Sequence, residues 1–492
     1  MLSASISVFP REPLGEISPF LHGQGLEGAG EGASPGVWVG QESEIPHQNG
    51  VRLGVLQALK QLEPPVLRWS GAGDSYNWRD GIGAQRPTRV SNHHGGDSIE
   101  SNAFGSHEFL ELCRDVSAQP WIGANLSAAA PREIAQWAEY CNFAGGTTLS
   151  EERIGNGSEK PFDVRFWGLG NGSDGGGFSP ETYAAQYRQF ESVFPKFAAQ
   201  NPFLIAVGPD GNDSKQSATW TRQLLQNFEK SRAPRFQGLD TRFTTRNSGA
   251  QFGTATEFSL DEYYGLLSES LKIGELIDGQ REILNAFSIG REAKLILGAW
   301  GIEHPQNEER RGWQPGTLRD AICAAMTLDS LHHKAGKIWM ANLSQSVHAG
   351  QSLLHTFGDV TVKTPTFHVF DLYKRHRGGQ LLHADFESGE AGGLPRLSGS
   401  ASLQNGVVTL SVVNSGAKSP VEATISLPGQ KIEIVAAKEL TGDGLAAQNT
   451  LENPDALAPG EITPSFDASA DASSFTHTFA PASVTVFLIQ LN

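Results

Sequence analysis

The 492-residue chain has little of what would mark several common functions. It carries three cysteines, Cys113, Cys141 and Cys323, an odd number at wide spacings. That pattern is no disulfide framework and has no metal-ligand spacing. Cys113 and Cys323 fall in helix-like apolar patterns, where a cysteine behaves as a small buried hydrophobe. Lys and Arg number 38 against 54 Asp and Glu, a net charge of −16. No basic stripe is therefore available to neutralise phosphates, which argues against nucleic acid as a partner. An acidic surface of this kind is read as solubility. No stretch is long and apolar enough to span a bilayer. The segment Met1 to Val8 alternates like a strand and is not a basic segment followed by an apolar core. No phosphate-binding glycine loop ends in Lys-Ser/Thr, and Gly28-Ala29-Gly30-Glu31-Gly32 lacks the βαβ setting of a dinucleotide site. The expectations are no membrane, no cofactor and a cytoplasmic, reducing location.

What is present points to a large soluble fold. Hydrophobic residues make up 38% of the chain, with 26 Phe and 10 Trp, and the length suits one large domain plus a smaller one. Over residues 17–375 short apolar runs alternate with amphipathic helical patterns, the signature of parallel β/α units. Strands are expected at Ile17 to Gly23, Val66 to Trp69, Trp121 to Asn125, Arg165 to Gly170, Leu204 to Gly208, Ala293 to Leu297 and Ile338 to Leu343. Helices are expected at Phe104 to Arg114, Pro131 to Tyr140, Pro180 to Phe197 and Thr317 to His332. The number of repeats approaches that of a (β/α)₈ barrel, whose active site lies at the carboxyl ends of its strands. After Arg375, Gly, Ser and Pro rise and strand patterns such as Val407 to Val413 and Ser483 to Ile489 take over. Residues 376–492, with 1–16 adding a strand, read as an all-β sandwich.

Several polar residues fall where the strand-end loops of such a barrel converge: Glu27, Arg68, Asn125, Asn171 and Gln345. Glu, Arg, Asn and Gln are the side chains that hydrogen-bond sugar hydroxyls. An internal Arg68–Glu27 ion pair holding the barrel mouth together accounts for those two residues equally well. The loop Asn92-His93-His94-Gly95-Gly96-Asp97 offers adjacent histidines and an aspartate. Side chains at i and i+1 seldom converge on one ion, so no metal site is assigned there.

Ordered blocks run along nearly the whole chain. They include Ile17-Ser18-Pro19-Phe20-Leu21-His22-Gly23 with Leu26-Glu27, and Pro64-Pro65-Val66-Leu67-Arg68-Trp69 with Tyr76-Asn77-Trp78-Arg79-Asp80-Gly81. Further along come Asn102-Ala103-Phe104-Gly105-Ser106-His107-Glu108, Trp167-Gly168-Leu169-Gly170-Asn171 and Leu318-Arg319-Asp320-Ala321. Met340-Ala341-Asn342-Leu343-Ser344-Gln345 and Thr364-Pro365-Thr366-Phe367-His368 complete the series. Together they resemble glycoside hydrolase family 51, the intracellular α-L-arabinofuranosidases. The resemblance implies a (β/α)₈ barrel with a jelly-roll-like β domain, an arabinofuranoside-like carbohydrate ligand, and a homo-oligomer, often a hexamer.

It also implies two glutamates roughly 5 Å apart, an acid/base and a nucleophile, acting with retention of configuration. The acid/base follows the Gly-Asn of the fourth strand and aligns with Gly172. The nucleophile belongs to an Asp-Glu-Trp-Gly motif that here reads Gly298-Ala299-Trp300-Gly301, so Ala299 stands in its place. The loop after Trp69 is Ser70-Gly71-Ala72-Gly73-Asp74, and the strand that presents a histidine and a tyrosine to the sugar aligns with Leu239-Asp240-Thr241-Arg242-Phe243-Thr244. Deliberate removal of two acids would not also rewrite Gly298, the loop at Ser70 and the segment near Arg242. Divergence of the whole site is the simpler account. Glu27, Arg68, Asn171 and Gln345 are the matched positions that survive. Asp74, Asp174 and Glu303 lie near the vacated positions as substitute carboxylates. The leading expectation is a furanoside-binding protein without standard hydrolysis. The alternatives are an active glycoside hydrolase using one of those substitutes, or a structural or regulatory subunit of an active paralogue.

Overall fold

A computed structural model describes residues 2–26, 36–71, 76–91, 98–170, 177–197, 201–230, 232–247, 253–305, 314–348, 351–465 and 473–492. After the N-terminal strand β1 (Leu2–Glu16), eight strands close a barrel. They are β2 (Phe20–Gly25), β3 (Val66–Trp69), β4 (Gln119–Ala124), β5 (Phe166–Leu169), β6 (Phe203–Asp210), β7 (Gly238–Thr245), β8 (Lys294–Ile302) and β9 (Met340–Leu343). Every neighbouring pair is parallel, and β9 closes back on β2. Most of these strands are short apolar runs because both of their faces are covered, one by the outer helices and one by the barrel interior.

The interior is layered. Phe20, Val66, Trp121, Phe166, Phe203, Ile205, Ile296, Met340 and the preceding Trp339 form an apolar plug at the amino ends of the strands. Strand β7 supplies Gly238 to this layer, where a Cβ would meet Ile296 Cδ1 at 2.8 Å. Two residues further along several strands the character changes to polar: Arg68, Asp240 and Asn342 are buried there. Glycines face them. A Cβ on Gly23 would lie 1.9 Å from Asn342 Oδ1, and one on Gly298 would lie 2.1 Å from Asp240 Oδ1. Large polar side chains therefore fill the space that glycines on neighbouring strands leave open.

The second element is one continuous sheet. Its other strands are β10 (Gln380–Glu387), β11 (Leu397–Gln404), β12 (Val407–Asn414), β13 (Val421–Ser426), β14 (Ile432–Leu440), β15 (Gly460–Glu461), β16 (Ser474–Phe479) and β17 (Ser483–Leu491). The order across it is β15-β14-β17-β12-β11-β10-β1-β13-β16. Although β16 and β17 stand far apart in that order, Phe475 and Phe487 have ring centroids 5.2 Å apart. The sheet thus folds over on itself and closes a sandwich-like core around residues such as Ile6, Val8, Val408, Leu410, Ile425 and Phe487. Helix Leu318–His333 packs between this sheet and helix Pro365–Tyr373, and its buried residues lie on all sides, as a helix enclosed by protein requires.

Candidate functional site

Of the residues singled out in the sequence, Arg68, Ala299 and Gln345 lie toward the carboxyl ends of the barrel strands. Arg68, third in β3, is 3% exposed and points into the barrel. Its Nη1 donates to the Gly298 carbonyl at 2.9 Å, and its guanidinium carbon lies 5.3 Å from the centroid of the Trp121 ring. Arg68 therefore reaches across the interior from β3 to β8.

Gly298 lies at a break in the ladder. On one side Thr241 pairs with Leu297 and Arg242 with Ala299; on the other Ala341 pairs with Leu297 and Leu343 with Trp300. Gly298 has no register partner on either neighbour. Its polar groups are met by side chains instead, because a buried peptide left without partners is costly. Asp240 Oδ1 accepts from Gly298 N at 2.7 Å, Arg68 donates to its carbonyl, and Asn342 Nδ2 lies 3.5 Å from the same oxygen.

Beyond this bulge, Trp300 stacks on Phe370 of helix Pro365–Tyr373, with centroids 5.9 Å apart and rings nearly parallel. Adjacent side chains on a strand point to opposite faces, so the methyl group of Ala299 faces away from that helix. It stands in register with Arg242, which is half-buried. Gln345 forms a bridge with Leu26, and Leu26 N donates to the Arg68 carbonyl at 2.8 Å, so the ends of β2, β3 and β9 meet on one rim.

Glu303 does not join this group. It is exposed and accepts from Arg246 Nε at 2.9 Å, beyond the end of β8. Glu27, Asp74, Asn171, Gly172 and Asp174 lie outside the described residues, as do His93, His94 and Asp97. Among the described residues no group of three or more His, Cys, Asp or Glu could hold a metal ion.

Behind the rim, His304 Nε2 and Asp320 Oδ1 are 2.7 Å apart, and Asp320 Oδ2 accepts from Thr317 N at 2.8 Å at the start of helix Leu318–His333. Burial pushes the Asp320 carboxyl up, but His304 and Arg319 beside it outweigh that and hold it below the usual carboxylate range. Arg319 lies over the Phe258 ring at 3.7 Å and donates to the Ala255 carbonyl at 3.1 Å. The Leu318-Arg319-Asp320 block thus serves the architecture, anchoring a helix beneath the mouth.

Asp240 and Asn342 do not stand out in the sequence as site residues. The signal available was an acidic residue in the middle of a strand, Leu239-Asp240-Thr241, a position that burial penalises unless a built partner exists.

Comparison with known proteins places this architecture. Residues 58–242 match the α-L-arabinofuranosidase 1 domain and residues 298–483 the α-L-arabinofuranosidase C-terminal domain. An intracellular exo-α-L-arabinofuranosidase of Bacteroides ovatus is 33% identical over 474 residues, covering 93% of this chain and 90% of that protein. The chain belongs to glycoside hydrolase family 51. The crystal structure of the family 51 arabinofuranosidase from Xanthomonas axonopodis pv. citri superposes with a TM-score of 0.89 at 31% identity, over 99% of both chains. That of the Thermotoga maritima α-L-arabinofuranosidase, an arabinose complex, gives 0.85 at 27% identity, over 99% of this chain and 100% of the other.

Proposed function

We propose that this family 51 chain binds an α-L-arabinofuranoside or a closely related carbohydrate at its barrel mouth and that standard retaining hydrolysis has been lost. The observation that carries the proposal is Ala299. It offers a methyl group on β8 where a retaining enzyme needs a carboxylate, and its register neighbour on β7 is Arg242. Retention requires two carboxyl groups about 5 to 5.5 Å apart across the glycosidic bond, one as nucleophile and one as acid/base. Gly172 takes the acid/base position in the sequence, so neither role has its side chain. Loss of a nucleophile and of a general acid each removes orders of magnitude in rate.

Binding is supported by the polar layer under the mouth. Arg68 is retained, buried and fixed in place, and Gln345 sits on the rim beside the end of β2. The Thermotoga maritima relative is an arabinose complex, which favours a pentofuranose as the ligand class here. Glu303 is tied to Arg246 at the surface, which weighs against its recruitment as a substitute acid. A cytoplasmic location agrees with the intracellular naming of the Bacteroides ovatus relative. A homo-oligomer is the assembly this reading carries forward, checked by light scattering.

Calorimetry with arabinose and arabino-oligosaccharides, run beside p-nitrophenol release from a furanoside panel, tests the proposal. Binding without turnover is expected. Absence of binding to every furanoside refutes it. Turnover that disappears in Glu303→Ala, Asp174→Ala or Asp74→Ala replaces it with an active glycosidase of altered mechanism.

A further inference from the structure

The polar layer contains an exchange of space between two strands that the absence of two glutamates does not explain. Gly298 lies outside the left-handed region of backbone space, so its conformation alone permits a side chain. What forbids one is Asp240. A Cβ built on Gly298 would lie 2.1 Å from Asp240 Oδ1 and 2.5 Å from both Cγ and Oδ2. The carboxyl group of a β7 residue thus occupies the volume that a β8 side chain would fill, at the very residue where the sequence resemblance places an aspartate. The same carboxylate accepts from Gly298 N at 2.7 Å, while Arg68 holds Gly298 O at 2.9 Å. Both ends of a residue that has left the strand ladder are therefore held by polar side chains from two other strands.

We propose that Asp240 is the positioning residue of this barrel mouth: its carboxylate, supplied from β7 in the space of a side chain at residue 298, fixes the β8 bulge that sets Ala299 beside Arg242. The idea rests on reading the mouth as the carbohydrate site, and it adds how the wall facing the ligand keeps its shape. Space at 298 and a carboxylate at 240 are mutually exclusive with the reverse arrangement. A carboxylate at residue 298 requires a small residue at 240. A buried peptide N–H left without an acceptor is costly, so the bulge is held firmly only while residue 240 offers an oxygen to Gly298 N.

Hydrogen exchange read by mass spectrometry on the full chain tests this. In Asp240→Ala, exchange of the peptide spanning residues 297–301 is expected to accelerate about ten- to a hundredfold, the equivalent of one lost bond to a charged group, while the plug strands stay protected. Asp240→Asn keeps an oxygen for Gly298 N and the same volume, so it retains protection to within about threefold. Thermal denaturation supplies the second arm: Gly298→Asp lowers Tm sharply, and Asp240→Ala/Gly298→Asp recovers most of the loss. Unchanged local exchange in Asp240→Ala overturns the proposal. So does Asp240→Asn behaving like Asp240→Ala, or additive Tm losses in the double variant. Arabinose calorimetry on the unmodified chain runs in parallel. A chain that binds no furanoside refutes the functional reading above, whereas the role of Asp240 is decided by exchange and Tm.

Discussion

Asp329 lies on helix Leu318–His333 at the seam between the barrel and the folded sheet, and its partners are hydroxyls, not cations. Oδ1 accepts from Ser400 at 2.7 Å and Ser411 at 2.9 Å, and Oδ2 from the Tyr373 hydroxyl at 3.0 Å. Burial drives the carboxyl up to about 7 from its ordinary 3.8, against the opposing pull of these hydroxyls. Between those two values the folded chain keeps a proton that the unfolded chain has released. Folding stability therefore falls as pH rises through this window and levels off above about 7. At about 1.4 kcal/mol for each pH unit, the full effect is roughly 4 kcal/mol, of which about 2 kcal/mol develops between roughly pH 5.5 and pH 8.

Asp329→Asn isolates that contribution. The amide oxygen still accepts from Ser400 and Ser411, its nitrogen donates to Tyr373, and nothing titrates. Nearby histidines act in the opposite sense. Burial, the first cause, together with neighbouring positive charge holds His22 and His332 well below their usual range, and burial takes His376 down to about 3. These groups lower stability as pH falls through the unfolded histidine value, but they are common to both proteins and cancel in the difference. Urea denaturation at roughly pH 5.5 and pH 8, followed by circular dichroism and tryptophan fluorescence, should show the variant gaining about 2 kcal/mol on the parent over that interval. Parallel pH profiles for the two proteins would refute the assignment of a buried, proton-holding carboxyl to this seam.

Two further substitutions follow from the same kind of reasoning. Arg68→Met removes the donor to Gly298 O and the cation over Trp121 while keeping an apolar stem; furanoside affinity measured by calorimetry should fall at least about tenfold. Arg153 is buried and donates to the carbonyls of Tyr140 at 3.0 Å, Ala144 at 3.0 Å and Ser158 at 3.1 Å, so Arg153→Met strands several acceptors and should destabilise by about 3 kcal/mol in chemical denaturation without altering ligand affinity in the surviving fold.

The barrel was legible where strands obey the rule for parallel sheets. Val66–Trp69 coincides with the expected strand, and Phe166–Leu169 and Met340–Leu343 lie inside their expected runs. Helix Ser106–Asp115 begins two residues later than the apolar pattern suggests, because Glu108 accepts from Gly105 N at 2.8 Å and fixes the start there. Composition and periodicity alone do not reveal β7, since Asp240, Thr241 and Arg242 interrupt any apolar run. Its polar residues are inside the barrel only because neighbouring strands offer glycines. Helix Ser214–Glu229 also escapes the pattern, its buried stripe of Trp220, Leu224, Leu225 and Phe228 being diluted by polar residues. The identity of Ala299 could be read directly, whereas the partners of Gly298 required the fold: Asp240, which accepts from its N–H, lies 58 residues away in the chain.

That arrangement bears on how a barrel can lose chemistry and keep shape. Two carboxyl groups facing one another in a low-dielectric mouth repel, so on the proposed function their loss relieves a source of strain and asks nothing of the plug below. A buried peptide at a strand bulge is different, because leaving its N–H or carbonyl without a partner costs about 1–3 kcal/mol. Simple decay would let both kinds of residue drift together. Here Arg68, Asp240 and Asn342 converge on Gly298. Stability requires some partner for that peptide, but it does not require an arginine on one side and an aspartate on the other. An arginine and an aspartate meeting on one rim peptide are what a ligand-shaped mouth, as proposed above, accounts for and a purely structural barrel does not require.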